Sequence, residues 1–469
     1  MNIIIVGCGN VGYAIARSLS AEKIYDVTVI DSDSDSFEHA VETTDAIFIN
    51  GNGFSESTLI EAGARDAHLL ISVTGSDETN ILCCICAKHL GTKNTIARVS
   101  GTELGGMWKD LGIDAIINPE LQTALEISRQ LRYPTAANVD TLLGGRVELI
   151  TYKVADAPGF FVGKSPSQFF GEYDADILIA AVERDGKAIV PNGDFIFQDG
   201  DLLRILGRPS SISNFFFILG KKPERIKDTM IIGGGRTTYW LADLLSRQAP
   251  KTRVKIIEKD KTRCESLAEK LSIKTSMCLV VHGDGANEET LLSEDIEQAG
   301  CVICLTDEDE HNVLISLYSQ RAGIKKVITE VNYVNQKLVR ELGLKNIVCP
   351  LSITTEFIMR YIKSLTGNEG NNERAMANEI YDGADGSIQA IEFKVTAKAR
   401  CLGTPIKGLK LRNSLLIGCI IRDESIFIPA GDTSLQMGDT VIIISKESKI
   451  HHLDDILANR LPSIFSGSL

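Results

Sequence analysis

The 469-residue sequence predicts an α/β protein with two Rossmann-like, doubly wound parallel-sheet domains, each followed by a small α+β domain. Three observations support this prediction. Short apolar runs alternate with helical runs near the start of the chain, the same alternation returns about 230 residues later, and a second, different segment also occurs twice. We name these units A, B, A′ and B′ in chain order. The predicted domains span 1–135, 140–222, 227–366 and 385–460.

Unit A shows the alternation of strands and helices most clearly. Helical segments such as 11–21 and 80–90 separate its apolar runs. Short strands rich in Ile and Val, divided by helices, are typical of a parallel sheet covered on both faces. The six predicted strands are NIIIVG, VTVID, AIFIN, LLISVT, TIARVS and DAIINP.

Unit A′ repeats the motifs of unit A in the same order. The segment GCGNVG corresponds to GGGRTT, and VTVIDSD corresponds to VKIIEKD. Further along, NGNG, ISVTGSDETN and NPE correspond to HGDG, ICLTDEDEHN and CPL. Because all these motifs keep their spacing to within a few residues, A and A′ are expected to share one fold.

Units B and B′ are shorter and consist mainly of predicted β runs. In unit B these runs are LITYKV, ILIAAVERDG, AIVPNGDF and DLLRILG. Gly-Asp pairs at 193–194 and 200–201 return at 431–432 and 438–439, and this dipeptide before an apolar strand predicts a turn. Each B unit is therefore expected to be a small domain of hairpins without a cleft of its own.

The junctions between units are expected where the pattern weakens. A stretch rich in Gly, Asn and Glu, 367–386, predicts the linker between A′ and B′, and the A–B junction is expected near 134–145. The apolar run Phe215–Leu219, just before A′, predicts either a contact with a partner or burial within unit B.

A nucleotide site is predicted at the carboxyl edge of the sheet in unit A. Gly7 allows a tight turn, Gly9 lets the backbone approach a pyrophosphate, and Gly12 lets the first helix pack on the first strand. Asp31 ends the second strand, where its carboxylate accepts hydrogen bonds from ribose and repels a 2′-phosphate, so NAD(H), ATP or ADP fit better than NADP. The alternative is a glycine-rich turn with a structural role only. The expected contacts are Gly7, Gly9, Asn10, Val11, Gly12, Asp31, Asn52, Gly53, Thr74, Asp77 and Arg98.

Arg98 ends the fifth strand and is expected to reach a terminal phosphate, unless it forms an ion pair with Asp77 or Glu78. Its counterpart in A′ is Glu330, which repels phosphate. The first site is therefore expected to tolerate more phosphate charge than the second.

A second site is expected in A′, but Thr238 replaces the third glycine and places a β-branched side chain at the contact between helix and strand. The alternative for A′ is a scaffold copy that binds nothing. The expected contacts of this site are Gly233, Gly235, Glu258, Asp284, Gly285, Thr306 and Asp309.

Charge and composition exclude several classes of protein. The net charge of −13 argues against nucleic-acid binding, which needs Lys and Arg on the phosphates. No apolar stretch approaches the roughly 20 residues that cross a bilayer. The first residues are already a strand, so we expect no leader peptide and a cytoplasmic protein. The eleven cysteines fit a reducing compartment, and we expect no metal site, because Cys301 and Cys304 lie in a β run and face opposite ways.

An enzyme is the less favoured interpretation. An NAD-dependent dehydrogenase needs an acid or base beside its substrate, yet none of the seven histidines recurs in a motif shared by both halves. Tyr333 and Lys337 form a YxxxK pattern that unit A lacks, which indicates chance.

With these motifs in hand, the sequence resembles the RCK/KTN family of ligand-sensing domains, in the doubled form of the peripheral regulatory subunit of Trk-type potassium uptake. The resemblance depends on GCGNVG, NGNG, VTGSDETN and ARVS in the first half, and on IIEKD, HGDG, LTDEDEHN and IPAGDTSLQMGD in the second.

The resemblance implies a regulator and not an enzyme. Such proteins bind NAD(H), ATP or ADP, form dimers that assemble into a ring, and gate a membrane potassium-channel subunit at the inner face of the cell membrane. The segments that follow Pro119 and Pro350 would be crossover helices that join subunits. A regulator of another cation transporter, such as a potassium/proton antiporter, is the alternative.

Overall fold

The computed structural model describes residues 1–22, 24–101, 106–132, 138–142, 146–221, 226–332, 336–344, 346–366, 377–382, 389–412, 415–423, 425–446, 450 and 452–458. Within these ranges, all six strands predicted for unit A are present. The elements of the first Rossmann-like domain are β1 (Asn2–Val6), α1 (Asn10–Ala21), β2 (Asp26–Asp31), α2 (Glu38–Thr43), β3 (Ile47–Asn50), α3 (Glu56–Glu61), β4 (Leu69–Ser72), α4 (Asp77–Leu90), β5 (Asn94–Arg98), β6 (Ala115–Ile117) and α5 (Pro119–Arg132).

The sheet of this domain has the strand order β3-β2-β1-β4-β5-β6, and all of its strands are parallel. The predicted doubly wound sheet is thus confirmed. One face packs on α3 and α4 through a core that includes Ile4, Leu59, Leu70 and Cys83. The chain reverses its direction of winding between β1 and β4, and this reversal opens a crevice at the carboxyl ends of these two strands.

The first small domain follows in the chain. Its elements are β7 (Asn138–Leu142), β8 (Val147–Lys153), α6 (Pro158–Phe161), α7 (Pro166–Glu172), β9 (Ile177–Arg184), β10 (Lys187–Ile189), β11 (Leu202–Gly207) and α8 (Pro209–Ile218). They form an antiparallel sheet of order β10-β9-β11-β8-β7.

The second Rossmann-like domain repeats the first with the strand order β14-β13-β12-β15-β16-β17. Its elements are β12 (Asp228–Ile232), α9 (Arg236–Gln248), β13 (Arg253–Glu258), α10 (Lys261–Ser272), β14 (Cys278–His282), α11 (Glu288–Ser293), β15 (Cys301–Cys304), α12 (Asp309–Arg321), β16 (Lys326–Glu330), α13 (Gln336–Glu341), β17 (Asn346–Val348) and α14 (Pro350–Thr366).

The second small domain has the strand order β18-β19-β22-β20-β21. These strands are β18 (Ala377–Asp382), β19 (Gln389–Lys394), β20 (Leu415–Arg422), β21 (Ser425–Phe427) and β22 (Thr440–Ser445). Its sheet contributes Ala390, Cys419 and Ile442 to an apolar cluster that also contains Leu149 and Ala180 of the first small domain.

The sequence prediction missed β7 and β18. Each was assigned to a connecting segment, 134–145 or 367–386, yet each pairs antiparallel with the strand that follows it. Both are short strands at the edge of a sheet, and their sequences, NVDTL and ANEIYD, contain too few apolar residues to show a clear alternation. The rest of the predicted linker lies outside the described residues.

The two Rossmann-like domains form one compact unit, residues 1–131 and 225–359, and the remaining residues form a second unit. Helix α5 joins the two halves of the first unit. Its Ala124 and Ile127 are buried in the core of the second Rossmann-like domain, and Ser128 donates to Gln248 Oε1 at 2.9 Å. The segment after Pro119 therefore crosses between two domains of the same chain. The link between subunits that the resemblance implies stays a prediction.

The aromatic run before the second Rossmann-like domain is largely core. Phe215 and Phe216 are buried in the first small domain, next to Tyr152 and Phe161, whereas Phe217 is 61% exposed. Of the two roles expected for this run, a contact with a partner or burial within unit B, burial applies to Phe215 and Phe216.

No helix among the described residues is both long enough and apolar enough to cross a membrane.

Candidate functional site

A cavity of about 890 Å³ opens at the carboxyl edge of the first parallel sheet. It lies at the crevice between β1 and β4 that the strand order creates. All the residues predicted to contact a nucleotide in unit A line this cavity, except Gly12 and Asp77. The lining residues from that prediction are Gly7, Gly9, Asn10, Val11, Asp31, Asn52, Gly53, Thr74 and Arg98.

Gly12 lies behind the cavity and sets the distance between α1 and the glycine loop. A Cβ atom added at Gly12 would lie 1.8 Å from the Gly7 carbonyl oxygen. Gly7 itself has φ +102°, which favours glycine, and its N–H donates to the Ile30 carbonyl at 2.8 Å. The two glycines together let the N-terminus of α1 face the cavity.

Asp31 connects the glycine loop to the end of β2. Its Oδ2 accepts from Cys8 N at 2.6 Å, and its Oδ1 accepts from Asp33 N at 3.0 Å. A carboxylate has about four acceptor positions, so two remain for the hydroxyls of a ribose. The side chain both shapes the loop and presents acceptors to the cavity.

Asn80, which the sequence prediction did not assign to the site, fixes the loop after β4. It is fully buried, and its Oδ1 accepts from Thr74 N and Thr74 Oγ1, both at 2.8 Å. Its Nδ2 donates to the Arg98 carbonyl at 2.9 Å. The corresponding Asn312 bonds Thr306 and the Glu330 carbonyl in the same way. The signal was present in the sequence, because both repeated motifs end in this asparagine.

Replacing Asn80 by alanine is expected to lower the free energy of unfolding by about 2–4 kcal/mol, because it leaves buried backbone groups of Thr74 and Arg98 without partners. Chemical denaturation measures this loss. Asn94→Ala, at the opposite edge of the sheet, removes one hydrogen bond to the His68 carbonyl and is expected to cost less than about 1 kcal/mol. Equal losses in the two variants would show that Asn80 has no special positioning role.

Asp77 does not line the cavity. Its carboxylate accepts from Ser100 N at 3.0 Å and from Gly101 N at 2.8 Å, and thereby attaches the start of α4 to the segment after β5. Asp309 of the second domain accepts from Asn332 N in the equivalent way. The carboxylates of Asp77 and Asp309 thus both accept hydrogen bonds from backbone N–H groups.

The second Rossmann-like domain also lines the first cavity. Its contribution consists of Thr237, Glu330, Asn332, Pro350, Leu351 and Thr354. Several of these are the repeat counterparts of first-domain lining residues: Glu330 of Arg98, Pro350 of Pro119, and Leu351 of Glu120. The cavity therefore spans the junction between the two domains, which the prediction of one site per domain did not anticipate.

Arg98 has a different neighbour from the one expected. Its Nη2 lies 3.9 Å from Glu120 Oε1, and that oxygen also accepts from Ser100 Oγ at 3.1 Å. The side chain is 29% exposed, and the separation from Glu120 is long for an ion pair. The guanidinium thus keeps donors available on the cavity side.

The second glycine loop faces a space of only about 30 Å³. Gly233, Glu258, Asp284, Gly285 and Thr306 line it, whereas Gly235 and Asp309 do not. Two cationic side chains, Lys259 and Arg263, also line this space. The first domain has Ser32 and Ser36 at the corresponding positions, so its cavity stays open.

Ion pairs hold these cations over the second loop. Arg263 Nη1 lies 3.1 Å from Asp307 Oδ2 and 4.0 Å from Glu258 Oε2. Lys259 Nζ lies 3.5 Å from Glu308 Oε1. A nucleotide would have to displace Arg263 before it could enter.

Thr238 forms a hydrogen bond to the second glycine loop, at the place where Gly12 packs in the first domain. Its Oγ1 donates to the Gly233 carbonyl at 2.6 Å, and its side chain is fully buried. The helix of the second domain therefore starts from a position that leaves room for a β-branched residue, whereas Gly12 permits a closer approach in the first.

The cysteines of the CVIC run pack into separate cores, Cys301 into the cluster with Ile231 and Cys304 into the cluster with Met230. The part of the chain that the structure describes contains no group of three or more His, Cys, Asp and Glu side chains that could hold a metal ion. Tyr333 of the YxxxK pattern lies outside the described residues.

Family models match most of the chain. The TrkA-N domain model matches residues 3–119 and again 229–350, and the TrkA-C domain model matches 152–220 and 390–458. The matches fall on the two Rossmann-like domains and the two small domains.

Curated relatives match over nearly the whole length. A Trk system potassium uptake protein TrkA homolog of Archaeoglobus fulgidus is 31% identical over 97% of this chain and 100% of its own length. The Trk system potassium uptake protein TrkA of Vibrio alginolyticus is 29% identical, with 99% of this chain and 100% of the relative covered.

Solved structures share the fold. The crystal structure of the GsuK RCK domain has a TM-score of 0.61 at 19% identity, covering 95% of this chain and 92% of that one. The GsuK channel bound to NAD has a TM-score of 0.62 at 18% identity, covering 95% and 76%.

Proposed function

This chain belongs to the family of Trk potassium uptake proteins built from paired TrkA-N and TrkA-C domains, and we propose that it is a nucleotide-sensing regulatory subunit of a Trk-type potassium-uptake system. The observation that supports the nucleotide most directly is the 890 Å³ cavity at the crevice of the first parallel sheet, with Asp31 and the glycine loop in its wall.

The ligand is an adenine nucleotide, NAD(H), ATP or ADP. Asp31 accepts from the ribose of the adenosine half, and the glycine loop with the N-terminus of α1 receives the phosphates. The far end of the ligand extends past β4 and β5 toward Arg98, since the sheet continues in that direction. A channel of the same fold, GsuK, has been solved bound to NAD, which is in keeping with this choice.

The second loop is the weaker site. Its open volume of 30 Å³ and the Arg263–Asp307 ion pair mean that binding there must break existing contacts. The first domain is accordingly the principal sensor.

Regulation follows from the position of the cavity between two domains. A ligand that touches both walls stabilises one relative arrangement by its difference in affinity, commonly about 1–3 kcal/mol. This change passes to a membrane potassium-channel subunit at the inner face of the cell membrane. The chain acts as a homo-oligomer, a dimer assembling into a ring, and it is a regulator and not an enzyme.

Isothermal titration calorimetry of NADH and ATP tests the sensor. Asp31→Ala is expected to weaken binding roughly 10- to 100-fold, because charge-assisted hydrogen bonds to ribose contribute about 1.5–3 kcal/mol. Asp33→Ala is the matched control, since Asp33 is exposed, lies two residues away and does not line the cavity.

An assay of NADH consumption accompanies the titration. Binding without turnover, lost in Asp31→Ala and kept in Asp33→Ala, supports the sensor and justifies reconstitution with the membrane subunit. Absence of nucleotide binding to the wild type, or steady consumption of NADH, would rule the proposal out.

A further inference from the structure

Glu330 of the second Rossmann-like domain ends β16 and lines the ligand cavity of the first domain. Its Oε2 is buried and has no hydrogen-bond partner among the described residues. Within the described part of the chain, its other oxygen, Oε1, accepts one long hydrogen bond, from Asn332 Nδ2 at 3.4 Å. A buried carboxylate oxygen without a partner is costly. Because Glu330 lines the cavity, its carboxylate is close enough to interact with whatever fills the cavity.

The charges of the cavity wall are unbalanced. One arginine, Arg98, faces three carboxylates, Asp31, Glu120 and Glu330. Asp31 lies at the end of β2, on the adenosine side, whereas Arg98 ends β5 and Glu120 begins α5 just after β6. The end of the cavity that receives the distal part of a ligand therefore carries two carboxylates and one guanidinium.

We propose that Glu330 is a specificity-determining residue of the first site, which disfavours a ligand with a terminal phosphate at the distal end and favours one with hydrogen-bond donors there, such as the second ribose of a dinucleotide. The inference rests on the proposed nucleotide-sensing function. It also reverses the role expected from sequence, in which Glu330 limits phosphate charge in the second site.

The protonation of Glu330 adjusts this selection. Burial, together with repulsion from Asp309, Asp307 and Glu120, raises the pKa of the Glu330 carboxyl to about 7. The hydrogen bond from Asn332 opposes this rise of the pKa. Of the other charged groups in this region, Arg98 lines the same cavity and Arg263 pairs with Asp307. Glu330 is therefore mostly charged at pH 8 and mostly neutral at pH 6, and selection against a triphosphate weakens as the pH falls.

The experiment compares ATP and NADH binding to the full-length wild type, Glu330→Gln and Glu310→Gln, at pH 6 and pH 8, in the presence of a chelator. Glu310 is the matched control, because it is an exposed glutamate in the first turn of α12 that does not line the cavity. The chelator removes divalent cations that would bridge phosphate to carboxylate. Phosphates of ATP also titrate in this range, so the readout is the difference between variants.

At pH 8, Glu330→Gln is expected to tighten ATP binding roughly tenfold and to leave NADH binding within about threefold of the wild type. The gain is expected to shrink at pH 6, where the wild-type carboxyl is neutral, and Glu310→Gln is expected to behave like the wild type. ATP binding that is unchanged or weaker in a folded Glu330→Gln protein overturns the inference while leaving the sensor intact. A wild type that binds neither nucleotide refutes the proposed function instead.

Discussion

Gly12→Ala is expected to lower the free energy of unfolding by about 3 kcal/mol and to remove nucleotide binding from the first site. The added Cβ would lie 1.8 Å from the Gly7 carbonyl oxygen, far inside van der Waals contact. Helix α1 would have to move away from β1, and its N-terminus would no longer lie where the phosphates are expected. Urea denaturation and calorimetry measure the two effects.

Gly9→Ala separates the loss of binding from the loss of stability. Gly9 has φ −68° and ψ −172°, a conformation open to alanine, and a Cβ added there meets nothing within 4 Å. We expect its stability to stay within about 1 kcal/mol of the wild type. Because Gly9 lines the cavity, the new methyl group occupies space intended for the pyrophosphate, and binding is expected to fall at least roughly tenfold.

The two glycine variants test whether the glycine loop of the first domain binds the phosphates. If Gly9→Ala binds nucleotide as the wild type does, then the loop does not contact the phosphates. If Gly12→Ala is as stable as the wild type, then α1 is free to adopt the wider position that Thr238 implies for the second domain.

The spacing of residues along single strands was enough to predict most of the first site. Asp31 was placed from its position at the end of the second predicted strand, and the edge of a parallel sheet then brings it beside the glycine loop. The same logic failed for Asp77, because a carboxylate in the first turn of a helix has backbone donors of a neighbouring segment within reach, and the sequence does not show them.

Glu330 could not be placed from the sequence. Its contact with the first cavity depends on how the two Rossmann-like domains pack, and that packing is set by apolar residues such as Ala124 and Ile127 of α5. A repeat shows that two domains share a fold, but it does not show which surfaces they share. The closure of the second glycine loop by Arg263 could not be predicted from the sequence either, because its ion-pair partner Asp307 lies 44 positions further along the chain.

Asp201→Ala is expected to lower the free energy of unfolding by about 3 kcal/mol. The sequence predicts only a turn at this position, but in the structure the Asp201 carboxylate forms a buried ion pair with Arg184. Asp201 is 1% exposed and accepts two hydrogen bonds from Arg184, at 2.7 and 2.8 Å, and one from Gln198 N at 2.8 Å. Removing the carboxylate leaves the guanidinium without its counter-charge and the turn without its acceptor. Arg184 is 23% exposed and regains some water, which keeps the loss toward the lower end of the range for broken buried pairs.

The repeat supplies both a replicate and a control for this prediction. Asp439 has the same contacts with Arg422 and Gln436 N, so Asp439→Ala is expected to cost a similar amount. Asp194 also follows a glycine but is exposed, so Asp194→Ala is expected to change the free energy of unfolding by less than about 0.5 kcal/mol. Nucleotide binding by the folded Asp201→Ala protein is expected to be unchanged, since this pair belongs to the unit without the glycine loops. Equal effects of the variants at Asp194 and Asp201 would mean that both Gly-Asp pairs are turns and that the ion pair adds nothing.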